Sequence, residues 1–314
     1  MMRKATETAS DRLVWFRGSV VPLSAANVSA LSATAQFGLN VFEGVRGYWN
    51  PDASDVFLVA LDRHLKRLRQ SAKILGLEID PSDGVILEAI RATVQASGLR
   101  EDISLRVMCM VDSVGSWSDP SRTELLIAPV PARRVQAATE WALKATVSSW
   151  RRIADDTMPA RVKTGANYVS GRYAMLDAQS AGFDLPILLG ATGKVTEAPG
   201  SSLALVRDGL IVFPPLTSGV LEGITRDVVM SMATQQGIGF EVRVIDRTEL
   251  LVADELFVCG SAAEVRAIGS VDRLLVGAGG FGSVTSTLLK TYHAAVDGST
   301  PSAHVPLVPV YGDY

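Results

Sequence analysis

The spacing of apolar residues along the first part of the chain predicts strands and helices in alternation. The runs LVWFRG and SVVPL predict a β-hairpin, and DVFLVAL predicts a buried strand. A helix is expected next, with Asp62 available as its N-cap and Gly76 as its end. The apolar stripe of this helix consists of Leu61, Leu65, Leu68, Ala72 and Leu75.

A second helix is predicted over DGVILEAIRATVQASG, and two adjacent strands follow in ISLRVMCMV and TELLIAPV. The segment APVPARRVQAA then combines prolines with a pair of adjacent arginines, before a new strand begins in WALKATVSSW. We therefore expect a small N-terminal α/β domain over residues 1–128, an interdomain linker over 129–140 and a larger C-terminal domain over 141–314.

The C-terminal part continues the alternation. A helix over NYVSGRYAMLDAQSAG is followed by strands in LPILLG and SLALVRDGLIVFPP, where Asp208-Gly209 predicts a two-residue hairpin turn. A helix from Thr225 to about Gln236 is bounded by Gly223 and Gly237, and strands in FEVRVID and ELFVCG complete the sheet. The predicted fold class is a mixed α/β protein of two domains.

Composition and charge narrow the range of partners. The chain has 314 residues, of which 47% are hydrophobic and 20% are charged, as in ordinary globular proteins. Its formal net charge of -3 gives no reason to expect nucleic acid or an anionic membrane as a partner. No apolar run approaches the length of a membrane span, and MMRKATETASDR lacks the apolar segment of a secretory signal. We expect a cytoplasmic protein.

The cysteines and histidines predict neither disulfides nor a metal site. Cys109 and Cys259 each lie in an apolar, strand-like run, which is typical of buried free thiols in a reducing compartment. His64, His293 and His304 have no metal-ligand spacing among themselves or with the cysteines. No metal is expected.

The segment PARVKTGANY carries the candidate chemistry. It places Lys163 before a turn of small residues and before Tyr168, and Glu197 follows in KVTEAPG. Gly223 and Thr225 open a later helix, whose first N–H groups favour an anion. A lysine can hold an aldehyde as a Schiff base, a carboxylate can keep a pyridine nitrogen protonated, and a helix start can hold a phosphate. Together these groups indicate pyridoxal phosphate. Singly, such groups are more often a solvated lysine, a core tyrosine, a solvated glutamate and a capped helix.

Five segments, in this order along the chain, make it similar to the fold-type IV pyridoxal-phosphate enzymes and, within them, to the branched-chain aminotransferases. The segments are NVFEGVRGY, LDRHLKRLRQSAKILG, VSSWRRIADDTMPARVKTGANY, SGVLEGITRD and ADELFVCGSAAEV. The resemblance implies a two-domain fold with pyridoxal 5'-phosphate at the domain interface. It also implies transamination between a branched-chain L-amino acid and 2-oxoglutarate through a Schiff base on Lys163.

The resemblance implies roles in holding the cofactor. Lys163 matches the lysine that carries it and moves the proton, Tyr168 matches the tyrosine at its phenolic oxygen, and Glu197 matches the carboxylate at its pyridine nitrogen. Leu221 is expected to line the ring. The residues expected at the phosphate are Arg63, Gly223, Ile224, Thr225 and Ser261.

Residues other than those that hold the cofactor are expected to bind the substrate. Phe42, Gly44 and Arg46 belong to a segment that helps to form the side-chain pocket in the family, although Phe42 would equally suit a core. Arg106 matches an arginine near the substrate carboxylate, and it lies in an otherwise apolar run, where an unpaired charge would be costly. The backbone N–H groups of Ser261–Ala262 are the expected direct donors to that carboxylate.

Three departures from the family pattern leave the substrate open. Ser104 and Phe37 stand where tyrosines are usual, and the run Ala198–Ser202 lacks the usual asparagine. The alternatives are a class IV transaminase for D-amino acids, (R)-amines or a pathway-specific substrate, an aminodeoxychorismate-type lyase, and a cofactor-binding protein without turnover. The resemblance further implies a homodimer or a higher homo-oligomer.

Overall fold

The computed structural model describes residues 12–118, 121–136, 141–300, 302 and 304–312, and these divide into two compact units. Unit 1 takes in the described residues up to Arg133, Thr164–Ala166 and residues 307–312. Unit 2 takes in the described parts of Arg134–Lys163 and Asn167–Pro306. Residues 137–140 of the expected linker and residues 1–11 of the expected polar N-terminus lie outside the described residues.

The described elements run in chain order as follows. Up to residue 131, within the expected linker, they are β1 Leu13–Phe16, β2 Ser19–Pro22, α1 Ala33–Phe37, β3 Asn40–Asn50, β4 Asp55–Val59, α2 Leu61–Ile74, β5 Leu77–Glu78, α3 Asp83–Ala96, β6 Ile103–Met110, β7 Ser121–Arg122 and β8 Glu124–Pro131. After it they are β9 Leu143–Arg151, α4 Tyr168–Ser180, β10 Leu185–Leu189, β11 Glu197–Ala198, β12 Ser201–Arg207, β13 Leu210–Phe213, α5 Ile224–Gln235, β14 Phe240–Val242, β15 Glu255–Gly260, β16 Glu264–Val271, β17 Leu274–Leu275, α6 Ser283–Val296 and β18 Leu307–Pro309.

Unit 1 is built on an antiparallel sheet with the strand order β18-β4-β3-β6-β8-β1-β2. The predicted hairpin β1–β2 and the predicted neighbours β6 and β8 are confirmed. Strand β3, which the apolar pattern did not single out, pairs with β6 over most of its length and places Gly44 opposite Arg106 and Arg46 opposite Ser104. Residues directly opposite in an antiparallel pair lie on the same face, so these four residues share one side of the sheet.

Helix α2 begins differently from the expectation. Its N-cap is Ala60, which adopts the left-handed conformation at φ 49, and Asp62 lies within the first turn. The prediction that Asp62 caps the helix is therefore wrong, although its charge lies near the positive end of the helix dipole. Gly76, at φ 66, directly follows the C-cap Leu75 and ends the helix as predicted.

Unit 2 contains a mixed sheet with the path β10-β9-β16-β15-β12-β13-β14, to which β11 and β17 are attached through β12 and β16. Successive residues of β12 enter two different cores, with Leu203 and Leu205 in one and Ala204 and Val206 in the other. Both faces of this strand are therefore covered, which explains its near-continuous apolar sequence.

The hairpin between β12 and β13 is confirmed. Asp208 and Gly209 form its two-residue turn, and both have positive φ angles, 52 and 75. This geometry matches the right-handed twist of the paired strands, and it favours glycine and aspartate.

The two cysteines are buried free thiols in β6 and β15, as predicted. Burial raises the pKa of Cys109 and of Cys259 to about 12, so both thiols are protonated at neutral pH. Across the described part of the chain, no helix is long and apolar enough to cross a membrane. The same residues include no group of three or more His, Cys, Asp or Glu side chains that could hold a metal ion.

Candidate active site

Lys163 and Tyr168 form the first part of the candidate site. The Nζ of Lys163 donates a hydrogen bond to the Oη of Tyr168 at 2.7 Å, and it lies 5.3 Å from the centroid of the tyrosine ring. The side chain of Asn167 fixes the loop between them, because its amide donates to the carbonyls of Pro159 and Val162 at 3.1 and 2.8 Å. A short local turn therefore brings an amine and a phenol together.

Glu197 provides a buried carboxylate in the same unit. It lies in the short strand β11, opposite Ser202 of β12, and only 6% of its surface is exposed. Arg152 places its Nε 2.8 Å from Oε1 of Glu197, and the backbone N–H of Leu221 donates to Oε2 at 3.1 Å. Both carboxylate oxygens are thus oriented by the protein. Arg152 carries no local sequence signal that predicts this contact.

The charge state of Glu197 is set by opposing effects. Burial raises the pKa of Glu197 above its usual range, while the charge of Arg152, the hydrogen bond from Leu221 and the charge of Lys163 act to lower that pKa. The net shift is upward. Lys163 is close enough to Glu197 to interact with it electrostatically, so the amine and the carboxylate belong to one site.

The start of α5 lies beside this carboxylate. Gly223 is the N-cap, with no side-chain capping bond, and Ile224 and Thr225 open the helix as predicted. The first N–H groups of a helix have no acceptor within the helix, and its dipole favours an anion there. A Cβ built on Gly223 would lie 2.5 Å from the Oγ of Ser202, so the close approach of these segments requires glycine.

Arg226, in the first turn of α5, is a buried cation that the sequence analysis missed. Its Nη2 donates to the carbonyl of Pro214 at 3.2 Å, and its guanidinium lies over the ring of Phe213. Among the described residues its buried Nε has no hydrogen-bond partner. Arg226 lines a small cavity together with Glu197 and Ser202. No local sequence signal distinguishes this arginine from a surface residue, because its burial depends on the strands that pack against α5.

Close backbone approaches connect the remaining residues of unit 2 to the site. A Cβ built on Gly200 would lie 3.9 Å from Cε1 of Tyr168, and one built on Gly260 would lie 3.4 Å from the carbonyl oxygen of Gly200. Ser261 and Ala262 directly follow Gly260 in the turn between β15 and β16, where Ser261 is half-buried and Ala262 is exposed. The structure therefore places this turn next to the loop that carries Glu197.

These groups fit pyridoxal phosphate. An aldehyde needs a nearby amine, which Lys163 offers beside the Tyr168 hydroxyl. A pyridine nitrogen needs a carboxylate, and Glu197 is buried with both of its oxygens held. A phosphate needs hydrogen-bond donors. The backbone N–H groups at the start of α5 can supply them, because no side chain caps this helix and its N-cap, Gly223, has no side chain of its own.

The predicted substrate residues of unit 1 lie together on one sheet face. Phe42, Gly44 and Arg46 alternate along β3, and Arg106 of β6 extends over the ring of Phe42 with its Cζ 4.2 Å from the centroid. Arg106 is exposed, because inward and outward positions alternate along β6, so the expected cost of burying its charge does not arise. Arg46 is buried, and its Nη2 donates to the carbonyl of Arg133 at 3.1 Å.

Arg63, the expected phosphate arginine, is half-buried on α2, and its role stays a prediction. The same helix contributes a cluster that the sequence analysis missed. Arg67 binds Glu43 through two bonds, Nε to Oε1 at 2.8 Å and Nη2 to Oε2 at 2.7 Å, and the Nδ1 of His64 lies 2.7 Å from Oε2. Burial raises the pKa of Glu43, but the bonds from Arg67 and His64 outweigh burial and lower that pKa to about 2.

Comparisons with known proteins place this site in context. The family model described as Amino-transferase class IV matches residues 40–271. A branched-chain-amino-acid aminotransferase of Salmonella typhimurium is 34% identical over 292 residues, which cover 91% of this chain and 94% of that protein.

Two solved structures each resemble 96% of the chain. A branched-chain aminotransferase of the archaeon Thermoproteus uzoniensis, solved with norvaline, has a TM-score of 0.90 and 34% identity, and the match covers 96% of this chain and 99% of that one. The PLP form of the branched-chain amino acid aminotransferase of Thermobaculum terrenum has a TM-score of 0.91 and 33% identity, with coverage of 96% and 99%.

Proposed function

Because the chain belongs to the class IV aminotransferases, which use pyridoxal 5'-phosphate, we propose that it exchanges amino groups between the branched-chain L-amino acids and 2-oxoglutarate. The observation that carries the proposal is the pairing of the Lys163 amine with the Tyr168 hydroxyl at 2.7 Å, in the same unit as the buried carboxylate of Glu197. The two similar structures described above support the choice of substrate, since both are branched-chain enzymes.

Bound pyridoxal phosphate supplies an aldehyde that takes up the amino group and a ring that draws electrons from the reacting carbon. Lys163 is proposed to attach the cofactor and, once the amino donor displaces it, to take the proton from the α-carbon of the donor at Nζ. A base must be neutral for this step, and the hydroxyl of Tyr168 holds Nζ in a fixed direction. Tyr168 is also proposed to bond the phenolic oxygen of the cofactor.

The other residues are proposed to bind and orient. Glu197 holds a proton at the ring nitrogen, and Leu221, whose N–H is bonded to Glu197, lines the ring. In unit 2 the phosphate is bound by the N–H groups and hydroxyl at Gly223, Ile224, Thr225 and Ser261. Arg63 of unit 1 is a further proposed phosphate ligand.

Substrate contacts are proposed on the sheet face of unit 1 and on one backbone turn of unit 2. Phe42, Gly44 and Arg46 are proposed to line the side-chain pocket. Arg106 and the N–H groups of Ser261–Ala262 are proposed to bind the carboxylate. The exposed guanidinium of Arg106 supports this role, because a charge must remain accessible to bind an anionic substrate.

The proposal is tested by following the visible absorbance of the purified holoenzyme during titration with L-leucine. Conversion of the cofactor to its aminated form, and return of the first spectrum on addition of 2-oxoglutarate, are the expected results. D-leucine and an (R)-amine serve as matched donors. Conversion by these alone would overturn the branched-chain assignment, and release of pyruvate without a second keto acid would indicate a lyase instead.

A homodimer or higher homo-oligomer in the cytoplasm is also proposed. Exposed apolar side chains on α4 support assembly, since Val169, Tyr173 and Leu176 recur at helical spacing and Trp150 stacks on Tyr173 with ring centroids 5.0 Å apart. Light scattering during size-exclusion chromatography measures the assembly. A monomer at micromolar concentration would contradict the proposal.

A further inference from the structure

The function proposed above assigns no role to Arg152, yet this residue makes the ion pair to the buried carboxylate of the site. Its Nε lies 2.8 Å from Oε1 of Glu197, and the two side chains are only 10% and 8% exposed. The same Nε also donates to the carbonyl of Gly219 at 3.2 Å, which fixes the guanidinium on the chain segment that leads to Leu221. Arg152 is thus held by the same loop that orients Glu197.

Within the described part of the chain, two donors orient Glu197, and they leave part of its acceptor capacity unused. Arg152 occupies one lone-pair site of Oε1, and the N–H of Leu221 occupies one lone-pair site of Oε2. An ionised carboxylate has about four lone-pair sites. The remaining sites are therefore available to a third donor, such as a protonated ring nitrogen. Since burial favours the neutral acid, a carboxylate in this position needs a cation to remain ionised.

We propose that Arg152 is a positioning residue that keeps Glu197 ionised and oriented, so that the proton between Glu197 and the pyridine nitrogen of the cofactor rests on the nitrogen. This inference rests on the proposed role of Glu197. If the proton moved to the carboxylate, the buried guanidinium of Arg152 would face a neutral acid and lose its charge partner. That cost disfavours the acid form and leaves the ring as the protonated partner.

Other charged groups near Glu197 limit the loss of rate that is expected when Arg152 is replaced. Arg226 lines the same small cavity as Glu197 and interacts with it electrostatically, and Lys163 lowers the pKa of Glu197 by its charge. These cations remain when Arg152 is replaced. The expected loss is therefore partial, about tenfold to a hundredfold in rate, as when a supporting hydrogen bond is removed from a directly binding residue.

The test measures the ¹⁵N chemical shift of the ring nitrogen in enzyme loaded with ¹⁵N-labelled pyridoxal phosphate. We expect a protonated nitrogen in the wild type, a shift toward the unprotonated value in Arg152→Gln, and substantial recovery in Arg152→Lys, which restores the charge. Arg247→Gln is the matched control, because it removes an exposed guanidinium from Asp272, to which it is bonded at 2.9 Å, and should leave the signal unchanged. An unchanged signal in Arg152→Gln would overturn the inference.

A double-mutant cycle separates positioning from general structural damage. If Arg152 acts through Glu197, Arg152→Gln should slow the amination half-reaction in the wild type but add little in a Glu197→Gln background. Equal losses in both backgrounds would indicate a structural role and overturn the inference. Should Arg152→Gln fail to fold, as judged by circular dichroism, the comparison of Arg152→Lys with wild type decides. The two proposals can also fail separately. If the ¹⁵N signal changes as expected but L-leucine does not aminate the cofactor, only the branched-chain assignment is refuted.

Discussion

The amine of Lys163 and the hydroxyl of Tyr168 lie 2.7 Å apart, five residues apart in sequence and joined by a tight turn. Asn167, which immediately precedes Tyr168, holds that turn by donating to the carbonyls of Pro159 and Val162. These bonds tie the turn to the segment that precedes Lys163. The roles of the amine and the hydroxyl can be tested separately, because one group is proposed to move a proton and the other to hold the first in place.

Lys163→Ala should abolish transamination, because no other amine is proposed to take the α-proton. We expect a loss of at least about a hundredfold in the half-reaction with L-leucine, in the range of a missing general base. After borohydride treatment, mass spectrometry should find the cofactor covalently attached in wild type and unattached in the variant. Lys194→Ala, which removes an exposed lysine paired with Asp246, should behave as wild type. Normal turnover in Lys163→Ala would refute the assignment.

Tyr168→Phe should keep the fold and slow proton transfer. The lost hydroxyl bonds the Lys163 amine, and one such hydrogen bond is worth about 1 kcal/mol, or roughly a fivefold change in rate. Single-turnover kinetics with L-leucine measure this effect. Tyr173→Phe is the matched control on the same helix, where the ring stacks on Trp150 and is not assigned to the cofactor. Equal rates for the two variants would remove Tyr168 from the site.

The parts of the site that local sequence determines could be predicted, and those that depend on tertiary pairing could not. Lys163, Tyr168 and the glycine-bounded start of α5 belong to short segments whose residue types indicate their chemistry from the sequence alone. Nothing in the sequence around Arg152 or Arg226 indicated that either residue belongs to the site. Each becomes part of the site only when distant strands and loops are brought together, and a single arginine in a polar segment is usually solvated.

The same distinction explains where the fold departed from expectation. The apolar stripe of α2 correctly predicted the helix, but its N-cap is Ala60, at φ 49 directly after β4, instead of Asp62. Arg106 lies in an otherwise apolar run, where an unpaired charge was expected to be costly. The strict alternation of β6 places it outward, and only its register with β3 shows that it shares a face with Arg46.

Gly223→Ala should weaken cofactor binding, because the added Cβ would lie 2.5 Å from Ser202 Oγ and 3.2 Å from Arg226 Cβ. Relief of the clash must displace the start of α5, and we expect the dissociation constant of pyridoxal phosphate to rise about tenfold, a loss of about 1.4 kcal/mol. Adding Ser202→Ala removes the nearer atom and should recover part of the affinity. Gly84→Ala, in helix α3, is the control, because the added Cβ would meet only Ser82 Oγ at an ordinary contact distance of 3.9 Å, and it should bind the cofactor normally. Unchanged affinity in Gly223→Ala would argue against a phosphate at this helix start.

Glu43→Gln should destabilise the protein in a pH-dependent way. The folded-state pKa of Glu43 is about 2, below the ordinary value of 4.5, so its contribution is fully present above pH 4.5 and is lost as the pH falls toward about 2. At pH 7 the substitution leaves Arg67 and His64 buried without their carboxylate, at a cost of about 3 kcal/mol. Thermal unfolding should show a melting temperature well below wild type at pH 7, and the gap should narrow between pH 4.5 and about 2, where the unfolded wild-type chain binds a proton at Glu43 that the folded chain does not. Glu88→Gln, which breaks an exposed pair with Arg91, should change little at either pH. A gap that stays constant with pH would contradict an ionised Glu43.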